Sequence, residues 1–209
     1  MSFERLLMPI GEAMFTQRSV RKFRPDPIPA ADLRLIVEAA VKAPNGGNHQ
    51  IGRFLVVTDR DKIRDFAKLY HEAWWAKRRD EYGWTGPQDI PPDATNFRAA
   101  AGLADHMRDV PCVVLALAEP PGWANSILPA CQNLMLAARA LGIGSIPTTL
   151  HPTVMSRVYA LFGIPSELAF HFCIPLGYPA EGARFGGSRR RPIRETVFLD
   201  RWGASAPWT

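Results

Sequence analysis

The 209 residues predict a single domain that mixes long helices with a few short strands. Three observations carry that reading. Apolar residues recur at helical spacing over long segments. Three compact apolar runs, at 54–57, 110–118 and 169–177, read as strands bounded by turn residues. No repeat, low-complexity tract or linker interrupts the chain, so residues 1–209 are expected to fold around one core.

The elements follow in order. Residues 3–17 read as one or two short helices, interrupted near Pro9. Pro29 suits the first position of a helix, where its missing N–H costs nothing. Leu33, Ile36, Val37, Ala40 and Val41 then repeat at helical spacing, and the helix stops before Pro44. Asp59 is placed to cap a long helix reaching about Tyr82, with Ile63, Phe66, Ala67, Tyr70, Ala73 and Trp74 facing inward. A further helix spans about 95–108. The block 59–108 is rich in tryptophan, and its loop 83–92 in Gly and Pro. It reads as the variable part of the fold and a candidate lid, with Trp74 expected in the core. The run 110–118 is a strand buried on both faces. Ser126 is placed to cap a helix ending at Gly142, and another helix begins at Thr153 and ends at Gly163. Residues 180–209 form a basic, Gly-rich arm without a core of its own, which must lie on its own domain or on a partner subunit.

Composition and charge narrow the function classes. Apolar residues make up 47% and charged residues 22%, the balance of an ordinary soluble globular protein. The net charge of +5 is concentrated in two short segments. Nucleic-acid binders spread such charge along a groove or helix, so a small anionic ligand is favoured over a polyanion. The cysteines, Cys112, Cys131 and Cys173, are odd in number and sit among apolar residues. They read as buried free thiols in a reducing compartment, and the expected location is cytoplasmic. The five histidines show no metal spacing. Neither a signal peptide nor an apolar run of membrane-spanning length is expected.

Four stretches carry the chemistry. The first is Gln17-Arg18-Ser19-Val20-Arg21-Lys22-Phe23-Arg24, four cations and a hydroxyl that suit an anion better than a core. The second is Ser188-Arg189-Arg190-Arg191-Pro192, near the other end. Two distant basic segments are what a phosphate site assembled by folding leaves in a sequence. The third, Pro44-Asn45-Gly46-Gly47-Asn48-His49-Gln50, joins a helix to a strand. Its glycines let backbone approach a ligand closely, and its amides both donate and accept, as the mixed edge of a heterocycle requires. The fourth is Pro147-Thr148-Thr149-Leu150, just before His151.

In this order the segments resemble the nitroreductase family of flavoproteins. The resemblance rests on Arg18-Ser19-Val20-Arg21-Lys22-Phe23, on Ala39-Ala40-Val41-Lys42-Ala43-Pro44 followed by the Asn-Gly loop, on Ala140-Leu141-Gly142-Ile143-Gly144, and on Arg189-Arg190-Arg191-Pro192. It implies an α+β fold: a central, mostly antiparallel sheet flanked by helices, in an intertwined homodimer with two FMN molecules at the interface. It implies that Arg18, Ser19, Arg21 and Arg190, with Ser188 or Arg189, hold the FMN phosphate. Pro44, Asn45, Gly46, Asn48 and Gln50 would reach the flavin from the other subunit. Pro147, Thr148, Thr149 and Leu150 would pass its ring, with the backbone N–H groups of Thr149 and Leu150 near N5 and O4.

Five residues, in three places, depart from the family pattern. Gln17 stands where many members carry Arg. Asn45 and Gly46 stand where Ser is frequent, and Thr149-Leu150 where Glu-Gly is frequent. The family's middle-region pyrimidine contacts match no residue between Asp59 and Arg108.

The implied activity is transfer of hydride from NAD(P)H through flavin N5 to a nitroaromatic, quinone or similar acceptor, in a ping-pong scheme. No protein nucleophile or catalytic acid pair is then expected. His151 is a candidate only for proton delivery. No Gly-x-Gly-x-x-Gly fingerprint offers NAD(P)H a separate site. The alternatives are flavin reduction, enone reduction or reductive dehalogenation on the same scaffold, and, outside enzymes, a non-catalytic flavin-binding or nucleic-acid-binding protein.

Overall fold

The computed structural model describes residues 2–209. Helices α1 (Ile10–Thr16) and α2 (Ala30–Val41) precede strand β1 (Gly52–Val57). The chain continues through α3 (Arg60–Tyr82), α4 (Thr95–His106), β2 (Cys112–Ala118), α5 (Ala124–Ala140), β3 (Gly144–Ser145), α6 (Met155–Phe162) and β4 (Ala169–Gly177). The four strands make one sheet in the order β1-β2-β4-β3. Each pairing between these strands is antiparallel. The architecture is the expected α+β class.

Strand β2 is the spine of the sheet, and every residue in it is buried. Its side chains alternate between two apolar layers, as a period of two requires. Cys112, Val114, Ala116 and Ala118 pack with Ile36 and Ala40 of α2 and Ile127 and Leu134 of α5. Val113 and Leu115 pack with Phe66 and Tyr70 of α3, Leu103 of α4 and Val158 of α6. The sheet is thus covered on both faces, which accounts for the uninterrupted apolar run at 110–118. One irregularity sits between Ala116 and Leu117, where Phe172 and Phe170 of β4 face them and His171 is the extra residue.

Helix boundaries follow local chemistry. Asp59 accepts hydrogen bonds from the N–H groups of Asp61 and Lys62 at 2.9 and 3.0 Å, as expected of the cap of α3. Gly83, with φ of 72°, ends the helix in the left-handed conformation. Two expectations shift. Pro29 lies before the first helical residue rather than at it. Ser126 does not cap α5: the helix begins at Ala124, and the buried Ser126 hydroxyl instead accepts the N–H of Gly46 at 3.2 Å. The hydroxyl is used to anchor a distant loop, so it is not needed at the helix end.

Within the block 59–108, Phe66, Ala67 and Tyr70 face the core as expected and meet Leu103 and Met107 there, while the far end of α3 carries a cluster of Trp74, Tyr82, Trp84 and Phe97 around the Arg78 guanidinium. Trp74 is half-buried and packs on the core from its rim. Cys112, Cys131 and Cys173 are buried free thiols, as expected. Among the described residues no helix is long and apolar enough to cross a membrane.

Candidate functional site

The basic segment lies along the β3 edge of the sheet. Ser19 bridges Ser145 in parallel, and the Val20 N–H donates to the Ser145 carbonyl at 3.1 Å. Farther on, Arg24 N–H donates to Tyr178 and Ala180 N–H to Lys22. Extended backbone points successive side chains to opposite sides. Val20 packs on Gly144 and is buried, its neighbours Ser19, exposed, and Arg21, half-buried, fall on the other side, and Arg18 at the start of the segment is exposed.

Arg21 is the unusual member of this segment. Its Nε is buried without a hydrogen-bond partner. Burial lowers its pKa, the nearby Tyr70 opposes that shift, and the like charge of Arg18 adds to it. A buried guanidinium with an unsatisfied donor is costly unless an acceptor arrives. Arg21 also lines a cavity of about 430 Å³, together with Lys22, Phe23 and the α4 residues Arg98, Gly102 and His106.

The segment 147–150 runs on the same side of the sheet. Thr148 forms an antiparallel bridge with Cys173, with both backbone hydrogen bonds at 2.8 Å. Its Oγ1 lies between the Tyr70 phenol and the Cys173 thiol but makes a well-aligned hydrogen bond with neither. Burial raises the pKa of Tyr70, and Cys173 adds to the shift, against the opposing influence of Thr148, Arg21 and Arg78. Tyr70 thus stays protonated although Arg21 and Arg78 are both near enough to act on it.

Helix α3 closes over this segment. Lys77 Nζ donates to Thr149 Oγ1 at 3.3 Å. His151 Nε2 lies 3.0 Å from Asp80 Oδ2, while its Nδ1 accepts the Thr153 N–H at 3.3 Å. With Nδ1 accepting, the ring proton sits on Nε2 and points at the carboxylate. These α3 residues were not read from the sequence as site residues. The signal was present in the two-turn spacing of Tyr70 and Lys77, which puts both on one helix face.

The Asn-Gly loop is elsewhere. It precedes β1, at the opposite edge of the sheet. Gly47, Asn48 and Gln50 have φ of 57°, 54° and 52°, conformations that Gly and Asn tolerate and Gln adopts only under constraint. The constraint at Gln50 is its own N–H, which donates to Asn45 Oδ1 at 2.9 Å. Pro44, Gly46, Asn48 and Gln50 are exposed, with Asn45 half-buried.

The second basic run is exposed at Arg189, Arg190 and Arg191, while Ser188 is half-buried. It follows Gly186, whose N–H donates to Thr16, and Phe185, which lies 4.2 Å under the Arg139 guanidinium. That anchors the start of the arm one residue from Gln17 and two from Arg18. Arg190 Nη1 donates to the Arg189 carbonyl, and among the described residues no hydrogen bond joins Arg190 to Arg18, Ser19 or Arg21.

Within one chain, then, Arg18, Ser19, Arg21 and residues 147–150 share one side of the sheet, the arm begins beside them, and Pro44–Gln50 lie across it. Strands sit about 4.8 Å apart, so the two edges are separated by about 14 Å of sheet. The fit to a phosphorylated flavin is chemical: the unpaired Arg21 guanidinium stands beside exposed Arg18 and Ser19, and the unpaired Thr148 hydroxyl and exposed Thr149 lie in the neighbouring segment.

Fold and motifs define an α+β oxidoreductase class. The model of the Nitroreductase family matches residues 15–178, and the chain belongs to that family. It is 28% identical over 205 residues to an NADH dehydrogenase of Thermus thermophilus, covering 88% of this chain and 93% of that protein. It is 28% identical over 169 residues to the iodotyrosine deiodinase of Thermotoga neapolitana, covering 78% and 84%. The solved structure of a nitroreductase with bound FMN from Bacteroides fragilis superimposes with a TM-score of 0.68 at 26% identity, covering 88% of this chain and 95% of that one.

Proposed function

We propose that this protein binds FMN at a site shared between two copies of the chain and passes electrons from NAD(P)H to a small aromatic acceptor. The observation that carries the reading is the separation of the site residues. The phosphate-type cations and the segment 147–150 lie at the β3 edge, and the amide-rich loop lies at the β1 edge. A second copy brings the two halves together. Exposed apolar residues support such pairing: Ile10, Met14 and Phe15 of α1, and Trp202 in the arm.

FMN, when bound, supplies hydride and electron transfer at its N5 atom, the chemistry no side chain here provides. The chain binds and orients. Arg18, Ser19 and Arg21, with Arg190 and Ser188 or Arg189 from the arm, hold the phosphate through charge-assisted hydrogen bonds. Pro147, Thr148, Thr149 and Leu150 would pass the ring, the backbone N–H groups of Thr149 and Leu150 being the donors offered to its N5 and O4 edge. Pro44, Asn45, Gly46, Asn48 and Gln50 approach from the second copy. The nicotinamide and the acceptor occupy the same place in turn, so no separate dinucleotide site is needed. No side chain serves as a nucleophile, and His151, engaged with Asp80, orients the segment after Leu150.

A second reading keeps the flavin and changes the substrate to a halogenated aromatic. The Thermotoga deiodinase relative favours it, at the same identity as the dehydrogenase. Turnover of nitroaromatic, quinone and halophenol panels with each nicotinamide separates the two.

The test of the main reading is direct. Purified protein should bind FMN, absorb as a flavoprotein, and bleach anaerobically with NAD(P)H. Arg21→Ala should lose about 1.5–3 kcal/mol of FMN affinity, the value of a hydrogen bond to a charged group. A protein that neither binds FMN nor oxidises NAD(P)H overturns the proposal.

A further inference from the structure

Lys77 projects from α3 onto Thr149, in the segment that the proposed function sets against the flavin edge. Its surroundings leave it unpaired by charge. The carboxylates near it on the helix are taken: Asp80 faces His151 and Arg79, and Glu81 faces Arg78 at 3.3 Å. Among the described residues no carboxylate forms an ion pair with Lys77. The contact is held from both sides, since Asp80 fixes α3 to His151 only two residues beyond Thr149.

The bond has a direction. An ammonium has three donors and no acceptor, so the Thr149 oxygen must accept. The Thr149 hydroxyl proton is then turned away from Lys77. Among the described residues no side chain or carbonyl takes that proton. Thr149 is exposed and Lys77 is half-buried, so the proton is free to turn outward, toward the side that the proposed function gives to the flavin. The N5 atom of oxidised flavin is a hydrogen-bond acceptor.

We propose that Lys77 is a positioning residue: it fixes the Thr149 hydroxyl as a donor toward flavin N5 and places a positive charge behind that hydrogen bond. The inference rests on the flavin reading above. It assigns α3 a part in tuning the cofactor, beyond covering it. A cation behind the hydroxyl strengthens its donation, because the bond polarises along the chain of partners. It also favours electron acceptance by the flavin, since negative charge builds there on reduction.

The experiment compares FMN-loaded wild type, Lys77→Met, Lys77→Arg, Thr149→Val and the Lys77→Met/Thr149→Val double variant. FMN dissociation constants and midpoint potentials are measured for each. Lys77→Met is expected to bind FMN within about threefold of wild type, because it does not touch the phosphate cations, which dominate affinity. Its midpoint potential should shift to a more negative value, and Lys77→Arg should restore most of the shift. In the Thr149→Val background the Lys77→Met substitution should have a much smaller effect, the signature of action through the hydroxyl. An unchanged potential in Lys77→Met with FMN bound overturns the inference and leaves the flavin reading standing. A shift of equal size with and without the Thr149 hydroxyl also overturns it, leaving only a field effect of the charge. If wild type itself binds no FMN, the flavin reading falls, and this inference with it.

Discussion

The Val20 side chain packs directly over Gly144. A Cβ added to Gly144 would sit 2.7 Å from the Val20 Cβ. With the hydrogen bond from Val20 to Ser145, this contact zips the basic segment onto β3. The absent side chain at Gly144 is thus what lets Arg18, Ser19 and Arg21 lie at the edge of the sheet.

Gly144→Ala is therefore expected to destabilise the protein by about 1–3 kcal/mol through overpacking, and to weaken FMN binding because the segment proposed to hold the phosphate shifts. Thermal unfolding followed by circular dichroism reads the first effect and flavin titration the second. Adding Val20→Ala should recover part of the loss, since the two residues share one contact. Unaltered stability in Gly144→Ala would mean that the segment can lift without cost.

The proposed sharing of the site between two copies predicts complementation. Arg21→Ala removes a donor at one edge, and Asn48→Ala removes an amide at the other. Each homodimer should bind FMN poorly. Unfolded together and refolded, the mixture should regain about a quarter of the wild-type sites, because half the dimers are mixed and each holds one intact site. No recovery on mixing would place both residues on a single chain's site or on none.

Stability should fall at alkaline pH, from a buried-thiol contribution whose sign is fixed. Burial pushes the pKa of Cys112 and of Cys131 up to about 12 from 9.0. Because the folded values are the higher ones, the contribution is complete below pH 9.0 and is lost as pH climbs toward 12. Each thiol can remove up to about 1.4 kcal/mol per pH unit in that window. Tyr70, also raised by burial, acts with the same sign. Urea midpoints across the window measure the slope, and Cys112→Val should flatten it. Native protein should resist thiol reagents near neutral pH and react at all three cysteines once unfolded.

Arg78 should matter more than its position near a helix end suggests. Its guanidinium lies 5.2 Å from the Phe97 ring, 5.4 Å from Trp74 and 5.7 Å from Tyr82. The side chain is only 12% exposed. Arg78→Met keeps the stem and removes the charge, and should cost about 1–2 kcal/mol of stability, the range for partly desolvated cation–π contacts. Urea denaturation measures the loss, and tryptophan emission should report loosening around Trp74 and Trp84.

The sequence was most legible where a single local rule governs. Asp59 as a cap, Gly83 and Gly163 as helix ends, and the strands at 110–118 and 169–177 all follow from residue type and period. Ser126 shows the limit: its residue type fits a cap, yet its hydroxyl serves the Asn-Gly loop eighty residues away. In the block 59–108 the inward face of α3, with Phe66 and Tyr70, was legible from its helical spacing. Its tryptophans carry no such local instruction: Trp74, expected in the core, is only half-buried at its rim, and half-buried Trp84 stacks on Tyr82 instead.

By itself the sequence determined the element types, the buried central strand, the free thiols and the ordered motifs that mark the nitroreductase family. Those features depend on backbone periodicity and on residue chemistry within a few positions. Only the tertiary structure decided that the basic segment and the Asn-Gly loop lie at opposite sheet edges, and that Lys77 and Asp80 reach Thr149 and His151. Strand order and helix docking bring together residues some seventy positions apart, and their relative placement is set by how two apolar layers close on the sheet. No local pattern in the chain encodes that closure.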